Sequence, residues 1–510
     1  MAKKNTTTTI VGQEGKNDSF VYSVQDVASL DDYMQILHFA HSFYSECEVL
    51  IICTNSKYLT TMSMEDALAF DRLSGQLNIK SGVQIGNFNT KSTVVSQMTK
   101  YETLQDCLDA NFFADVKSKM FFILGDVQET ANLIGYLRGN TSHTISEINI
   151  KNIINNIDIY RSLIKAQTKI MLMLKADAYG CGMLRLGRLA EMSGVDYIGV
   201  FSVDEGVKLR KNSVSIPIMV MNVHKEDFAL CVEYDLQASM PNIELLKELV
   251  ERTDKKQIGI HLKVDTGMSR LGFCSMELFD EALSLIKKHG DRVKVMSVYS
   301  HLSCSEDPEK DDFTQKQFDL FTQYYKRAEE ILAYKFIKHI LNSAGVLRFP
   351  DYQFDMVRSG IGVYGGINYM DTRLKPIRSL LSEIISIKKI KAGQAVGYGG
   401  VAIFDEDRTI AVVPVGYADG YRRAMGNGVG RVYVKGHFAP VVGNICMDMF
   451  MIDITGLDVE LGDVIEIYGK NIPIEEIAEK WNTISYEVMT SSSLRASRKY
   501  IINYSAEISE

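Results

Sequence analysis

Apolar positions fall into three successive rhythms along the chain. Between residues 19 and 140, the runs Val49–Cys53 (VLIIC) and Met120–Leu124 (MFFIL) have strand character. Polar residues and then a helical periodicity follow them, over Ser63–Leu73 and Val127–Leu137, which predicts a small α/β domain. After Gly139-Asn140-Thr141 the rhythm changes. Apolar runs recur at Ile170–Leu174, Tyr197–Val200, Ile216–Met221, weakly at Leu236–Ala238, then at Ile258–Val264, Val293–Tyr299, His339–Leu341 and Phe354–Val357. Each leads into a helical stretch. Strands alternating with helices in this way predict a parallel sheet closed as a (β/α)8 TIM-type barrel over residues 141–377, and the span of roughly 240 residues suits that fold. Beyond residue 378 helical periodicity nearly vanishes. Runs at Ser382–Ile390, Thr409–Val415, Arg431–Val434, Met449–Ile454 and Asp463–Tyr468, with glycine turns between them, predict a separate, mostly β domain over residues 378–510. Residues 1–18, rich in Thr, Gly and charge, read as a disordered tail.

Composition narrows the class. The 510 residues are 46% hydrophobic and 24% charged, ordinary for a globular protein of several domains. A net charge of −8 argues against a nucleic-acid partner, which usually meets a basic face. The eight cysteines show no C-x-x-C spacing, so neither a zinc ribbon nor a redox pair is expected, and no metal site. Scattered single cysteines suit a reducing compartment. The first residues contain no apolar signal core, and no apolar run reaches the roughly 18 residues needed to span a bilayer. A cytoplasmic enzyme without membrane contact is the expectation. No P-loop pattern occurs, so no ATP site is expected in residues 19–140.

A barrel carries its chemistry on the loops that follow its strands. The polar residues there are Lys175, Asp177 and Tyr179 after the first strand, and Lys263, Asp265, Thr266 and Arg270 after the fifth. His301 follows the sixth, Asn342 and Ser343 the seventh, and Arg358, Gly360, Ile361 and Gly362 the eighth. Lys175 follows the apolar run MLML, and burial would lower its pKa and free its amine for Schiff-base formation. Taken alone it is more simply a strand-end lysine reaching solvent. Ser343 alone is more simply a helix N-cap. Together with the backbone N–H groups of Gly360 and Ile361, in loops where barrels commonly bind phosphate, these residues suggest pyridoxal phosphate.

Eight motifs carry a resemblance. LKADAYG (174–180), VDTGMSRLGF (264–273), SHL (300–302), NSAG (342–345), VRSGIGVYG (357–365), VGYADGYRR (415–423), GNICMDM (443–449) and ISYEV (484–488) occur in this order. Over residues 143–501 the chain resembles the alanine racemase family. The resemblance implies an isomerase that interconverts L- and D-alanine on pyridoxal 5′-phosphate by two-base proton transfer, supplying D-alanine for peptidoglycan. It implies that Lys175 is the Schiff-base lysine and one base, and that Tyr417 is the other. His301 would tune Tyr417, since a tyrosine of ordinary pKa is a poor base. Arg358 would meet the pyridine nitrogen, and Arg270 the phenolic oxygen and the substrate carboxylate. Lys263 would be the lysine often carbamylated in the family. Phosphate contacts carry over to Tyr179, Ser343, Gly360, Ile361 and Tyr486, and Met447 would present a backbone N–H to the substrate. A head-to-tail homodimer is implied, with the β domain completing the partner's site. A broader racemase acting on serine or lysine, and a non-catalytic pyridoxal-phosphate-binding protein, are the alternatives. Two positions depart from the pattern: Cys181, where many members carry His, and Asn444, where others often have Arg. The stretch KYETLQDCLDANFFADVKSKMFFILGD and the junction HTISEINI resemble the last domain of a muramoyl-peptide ligase fused to such racemases, without its ATPase domain. No ligase activity is expected.

Overall fold

The computed structural model describes residues 7–14, 20–25, 49–53, 57–76, 81–86, 88–110, 120–124, 133–134, 137, 142–252, 257–491 and 495–505. The chain divides into two compact units. One comprises residues 152–377 with 484–490; the other comprises residues 1–151, 378–483 and 491–510.

The first unit is the barrel. Its strands are β1 (Lys169–Met173), β2 (Tyr197–Val200), β3 (Ile218–Val220), β4 (Gln237–Met240), β5 (Ile258–Lys263), β6 (Val293–Tyr299), β7 (Ile337–His339) and β8 (Met356–Ser359). They pair in parallel in the order β7-β6-β5-β4-β3-β2-β1-β8. Two backbone bonds draw β7 towards β8: Asp355 N–H donates to Lys338 O (3.1 Å) and Arg358 N–H to Leu341 O (3.0 Å). Between β5 and β6 the register shifts at Ile260/His261, where Met296 of β6 is the extra residue, and this sets His261 opposite Ser297. The helices between strands follow from their apolar faces and caps. In Met276–Lys288, Phe279, Ala282, Leu283 and Ile286 are buried at i, i+3, i+4 and i+7, and Ser275 caps the N-terminus by accepting from Leu278 N–H.

The second unit is built on one large sheet, with a small two-stranded sheet, Ala395–Val396 and Ala402–Ile403, beside it in the sequence. Strands Phe20–Gln25, Met120–Leu124, Val49–Cys53, Ser81–Ile85 and Thr99–Tyr101 run parallel side by side, with Leu50, Ile52, Val83, Phe121 and Ile123 in their core. The supposed tail contributes to this sheet. Thr7–Glu14 forms a strand that pairs antiparallel with both Phe20–Gln25 and the last strand, Ser497–Ser505. Its threonines, isoleucine and valine are strand formers, and a neighbouring edge gives them a partner that composition cannot reveal. The rest of the expected tail, residues 1–6 and 15–18, lies outside the described residues, as does most of the helix expected over Val127–Leu137. Ile145–Asn149, placed by its sequence at the start of the barrel, instead pairs with Arg378–Glu383 and Ser497–Ile501 in the sheet of this unit. The run Ser382–Ile390 divides into the strands Arg378–Glu383 and Ser386–Ile390, and two short helices, Ile474–Lys480 and Ser485–Thr490, interrupt the β pattern; the second belongs to the barrel unit.

Candidate active site

Lys175 stands directly after β1, where the chain makes an uncommon turn. Ala176, Asp177, Ala178 and Tyr179 all have φ between +51° and +56°. Left-handed backbone costs an L-residue roughly 1–2 kcal/mol, so the surroundings must hold this turn. Glu205 does part of that work: its carboxylate accepts from Ala176 N–H (2.8 Å) while also capping its own helix through Phe201 N–H (2.7 Å). Lys175 is accessible at the barrel mouth rather than sealed inside it, as the run MLML suggested. Partial desolvation there, with the positive charges of Arg270 and Arg358, lowers its pKa.

The loop after β5 folds back tightly on itself. Phe273 N–H donates to Lys263 O (2.9 Å), and Asp265 N–H donates to Phe273 O (3.0 Å). Gly272 makes this possible: its φ is +129°, and a Cβ there would lie 2.6 Å from Asp265 N. The loop carries Arg270 on the exposed side and leaves Lys263 buried. Burial, with the charges of Arg270 and Arg358, pushes the Lys263 pKa down to about 8. Lys263, Asp265, Met268, Arg270, Ser300 and His301 line one small cleft.

Arg358, at the centre of β8, is buried and heavily bonded. Its Nη1 lies 2.6 Å from His339 Nδ1; its Nη2 donates to Ser300 O (2.6 Å) and Ile340 O (3.0 Å), and lies 3.1 Å from His301 Nδ1. Among the described residues its Nε–H has no partner. Burial and the adjacent guanidinium hold both His301 and His339 well below the usual imidazole range. Gln317, at 0% exposure on the long helix Asp311–Leu332, fixes the His301 loop. Its amide nitrogen donates to His301 O (3.1 Å) and Thr266 Oγ1 (3.2 Å), and its oxygen accepts from Ser303 N–H (3.1 Å).

The cap question at Ser343 has a clear answer. Asn342 is the N-cap of helix Ser343–Arg348, accepting from Gly345 N–H (2.9 Å). This leaves the buried Ser343 hydroxyl to accept from Gly360 N–H (2.9 Å) and Gly362 N–H (3.2 Å). A Cβ on Gly360 would lie 2.6 Å from the Tyr179 hydroxyl. The Tyr179 ring lies 4.5 Å from that of Tyr364 and 6.2 Å from that of Tyr486. Ser343, Gly360, Ile361, Tyr179 and Tyr486 thus gather at one place in the barrel unit.

Tyr417 and Met447 belong to the other unit. Their two loops are tied together: Tyr417 N–H donates to Cys446 O (3.1 Å) and Ala418 N–H to Met447 O (3.0 Å). Gly416 permits this approach, because a Cβ there would lie 2.1 Å from Met447 O. Buried Asp419 accepts from Gly416 N–H (2.9 Å) and pairs with Arg495 (3.4 Å), which also reaches Asp448 (2.8 Å). Cys181 is a fully buried side chain between Gly180 and Gly182, both at positive φ. Asn444 donates to Tyr398 O (2.8 Å). Sequence reasoning missed Glu205, Gln317, His339 and Arg495. Only Glu205 left a signal, as the last residue of the capping box begun by Ser202.

Residues 148–368 match the family model described as "Alanine racemase, N-terminal domain", and residues 377–500 match "Alanine racemase, C-terminal domain". Alanine racemase 2 of Caldanaerobacter subterraneus subsp. tengcongensis is 32% identical over 367 residues, which cover 70% of this chain and 94% of that protein. Alanine racemase 1 of Oceanobacillus iheyensis is 34% identical over 374 residues, covering 70% and 97%. The chain belongs to the alanine racemase family. Among solved structures, the alanine racemase of Clostridium difficile 630 superposes with a TM-score of 0.67 at 32% identity, covering 71% of this chain and 96% of that one. That of Bacillus anthracis with bound L-Ala-P gives 0.66 at 27%, covering 70% and 94%. The cofactor of the family is pyridoxal phosphate, and the barrel residues fit it. Lys175 offers an amine of lowered pKa, Ser343 and the glycines of the β8 loop offer a polar cradle in which no added Cβ would fit, and Arg358 keeps its Nε–H unspent for a ring acceptor. No helix among the described residues is long and apolar enough to cross a membrane.

Proposed function

We propose that Lys175 and Tyr417 are the two bases with which this racemase interconverts L- and D-alanine, and that Lys175 also attaches the cofactor. The observation that carries this reading is the Lys175 amine, directly after β1 at the barrel mouth, with its pKa lowered by desolvation and by the charges of Arg270 and Arg358. When bound, pyridoxal phosphate draws electron density from the substrate's α-carbon and loosens its proton. The protein does the rest. Ser343, Gly360, Ile361, Tyr179 and Tyr486 hold the phosphate. Arg358 can only donate hydrogen bonds, so the ring nitrogen facing it stays unprotonated, which favours return of the proton over side reactions. Arg270 and the Met447 backbone N–H orient the substrate carboxylate. Lys263, at a pKa of about 8 among three cations, is a ready target for carbamylation, and the added carboxylate would orient Arg270.

Racemisation needs a base on each side of the α-carbon, so the second must come from elsewhere. Tyr417 is 44% exposed and Met447 55% exposed, which suits residues offered to another subunit. We infer a head-to-tail homodimer in which each supplies the partner's barrel. His301 accepts from Arg358 at Nδ1, which leaves its proton on Nε2 as a donor able to support the tyrosine. The free thiols Cys53, Cys107, Cys181, Cys231, Cys274, Cys304 and Cys446 support a cytoplasmic setting, where D-alanine feeds peptidoglycan synthesis.

The test is α-proton exchange in deuterated water. Tyr417→Phe should keep the bound-cofactor spectrum, lose racemisation, and still exchange the α-proton of one enantiomer only. Racemisation by Tyr417→Phe at the wild-type rate would remove Tyr417 from the mechanism.

A further inference from the structure

A chain of buried polar groups runs from Arg358 down the interior of the barrel. Arg358 Nη1 lies 2.6 Å from His339 Nδ1. His339 Nε2 lies 2.9 Å from Ser297 Oγ, Ser297 Oγ lies 2.6 Å from His261 Nδ1, and His261 Nε2 lies 2.9 Å from Gln237 Oε1. His339, Ser297 and His261 are each at 0% exposure, so water does not compete for these bonds.

The donor directions follow from chemistry alone. A guanidinium has donors and no acceptor, so His339 Nδ1 must accept. A neutral imidazole that accepts at Nδ1 carries its proton on Nε2, so His339 donates to Ser297 Oγ. The Ser297 hydroxyl then has its single proton left for His261 Nδ1. His261 in turn carries its proton on Nε2 and donates to Gln237 Oε1. Reversing His339 would set its N–H against the Arg358 donors, and reversing His261 would set its Nε2 lone pair against the Gln237 carbonyl oxygen. Burial pushes the His261 pKa down to about 3 and, with the Arg358 charge, holds His339 well below the imidazole range, so both rings stay neutral. The framework enforces the geometry. The register shift at Met296 of β6 sets His261 opposite Ser297, and the Tyr299 ring stacks on His339 at 5.0 Å and 6°, with its hydroxyl 2.7 Å from Ser239 Oγ.

We propose that Ser297 and His261 are positioning residues for Arg358, fixing the direction of its guanidinium through His339 by a one-way chain of hydrogen bonds. The proposal rests on reading Arg358 as the contact to the cofactor ring. Neither Ser297 nor His261 touches the reacting atoms; they determine where the Arg358 Nε–H points.

The experiment is 15N NMR of the full chain labelled at histidine, without added cofactor, followed by absorption and kinetics after reconstitution with pyridoxal phosphate. In the wild type, His261, His301 and His339 should each show one tautomer, protonated at Nε2. A proton on Nδ1 of His339, or a mixture, overturns the proposal, and this measurement stands even if no variant folds. In Ser297→Ala, with native circular dichroism, His261 should lose its single tautomer, and the 15N resonance of His339 Nε2, deprived of its acceptor, should shift. The bound-cofactor band should shift, and kcat should fall several-fold with KM for alanine little changed. Ser297→Thr, which keeps the hydroxyl, should restore all of these. A fall in activity with the His261 tautomer and the His339 Nε2 resonance both unchanged would show mere packing and overturn the proposal. Arg358→Lys run alongside separates the two readings. If it shifts the cofactor band while Ser297→Ala does not, the positioning role fails alone; if neither shifts the band, the reading of Arg358 fails as well.

Discussion

Among the site residues, Lys263 makes the sharpest prediction. Its pKa falls from 10.5 to about 8 on folding. Between those values the unfolded chain holds a proton that the folded chain has lost, so stability rises with pH across that window. Below pH 8 the penalty is present in full, on the order of 3 kcal/mol for a buried group. Lys263→Met should therefore raise Tm at pH 7 and flatten the rise in Tm between pH 8 and 10, as read by calorimetry. Bicarbonate, which carbamylates a neutral lysine amine, should raise the Tm of the wild type and leave that of Lys263→Met unmoved. Identical pH slopes in the two proteins would contradict this account of the cluster.

The residues of the site were legible to unequal degrees. Lys175, Arg358 and Ser343 stand in contiguous motifs at strand ends, where a barrel exposes its chemistry. Their environments were less readable. The run before Lys175 suggested a sealed amine, yet the left-handed turn at 176–179 brings it to the open mouth. His261, His339 and Gln317 were invisible as functional residues because their partners lie on other strands or helices. Tertiary pairing, not spacing, joins them.

At the scale of elements, the β8 loop depends on one hydroxyl. Ser343 satisfies the N–H groups of Gly360 and Gly362 in a buried place. Leaving such donors without an acceptor costs about 1–3 kcal/mol, and 1.4 kcal/mol is about tenfold in a binding constant. Ser343→Ala should lower Tm and weaken pyridoxal phosphate binding about tenfold or more in a spectroscopic titration. Unchanged affinity would mean that the loop does not form the phosphate cradle. Most elements followed from apolar rhythm: each run in the barrel became a strand, shifted by a residue or two where polar groups such as Gln237 and Lys338 extend it. A polar strand paired on both sides escaped. Thr7–Glu14 has too little apolar content to declare itself, and its pairing partner lies at the other end of the sequence.

At the scale of the molecule, the first and last strands join the two ends of the chain. Ser497–Ser505 is flanked by Thr7–Glu14 on one side and Ile145–Asn149 on the other, so the N-terminal strand covers what would otherwise be an open edge. The barrel and the chain segment bearing Tyr417 fall into separate compact units, which makes subunit sharing testable by complementation. Lys175→Ala and Tyr417→Phe are each expected to be inactive. Subunits exchanged between the two should form heterodimers with one intact site in two, giving about a quarter of wild-type activity at equal mixing. No recovery after exchange verified by mass spectrometry would contradict the head-to-tail dimer.

The central claim is that Lys175 holds the cofactor and works from one face of the substrate. The most direct test is borohydride reduction of the protein loaded with pyridoxal phosphate, followed by peptide mapping. The account predicts loss of the visible absorption band and a single pyridoxyl label on the peptide containing Lys175. A label on Lys263 or any other lysine, with Lys175 unmodified, would contradict it.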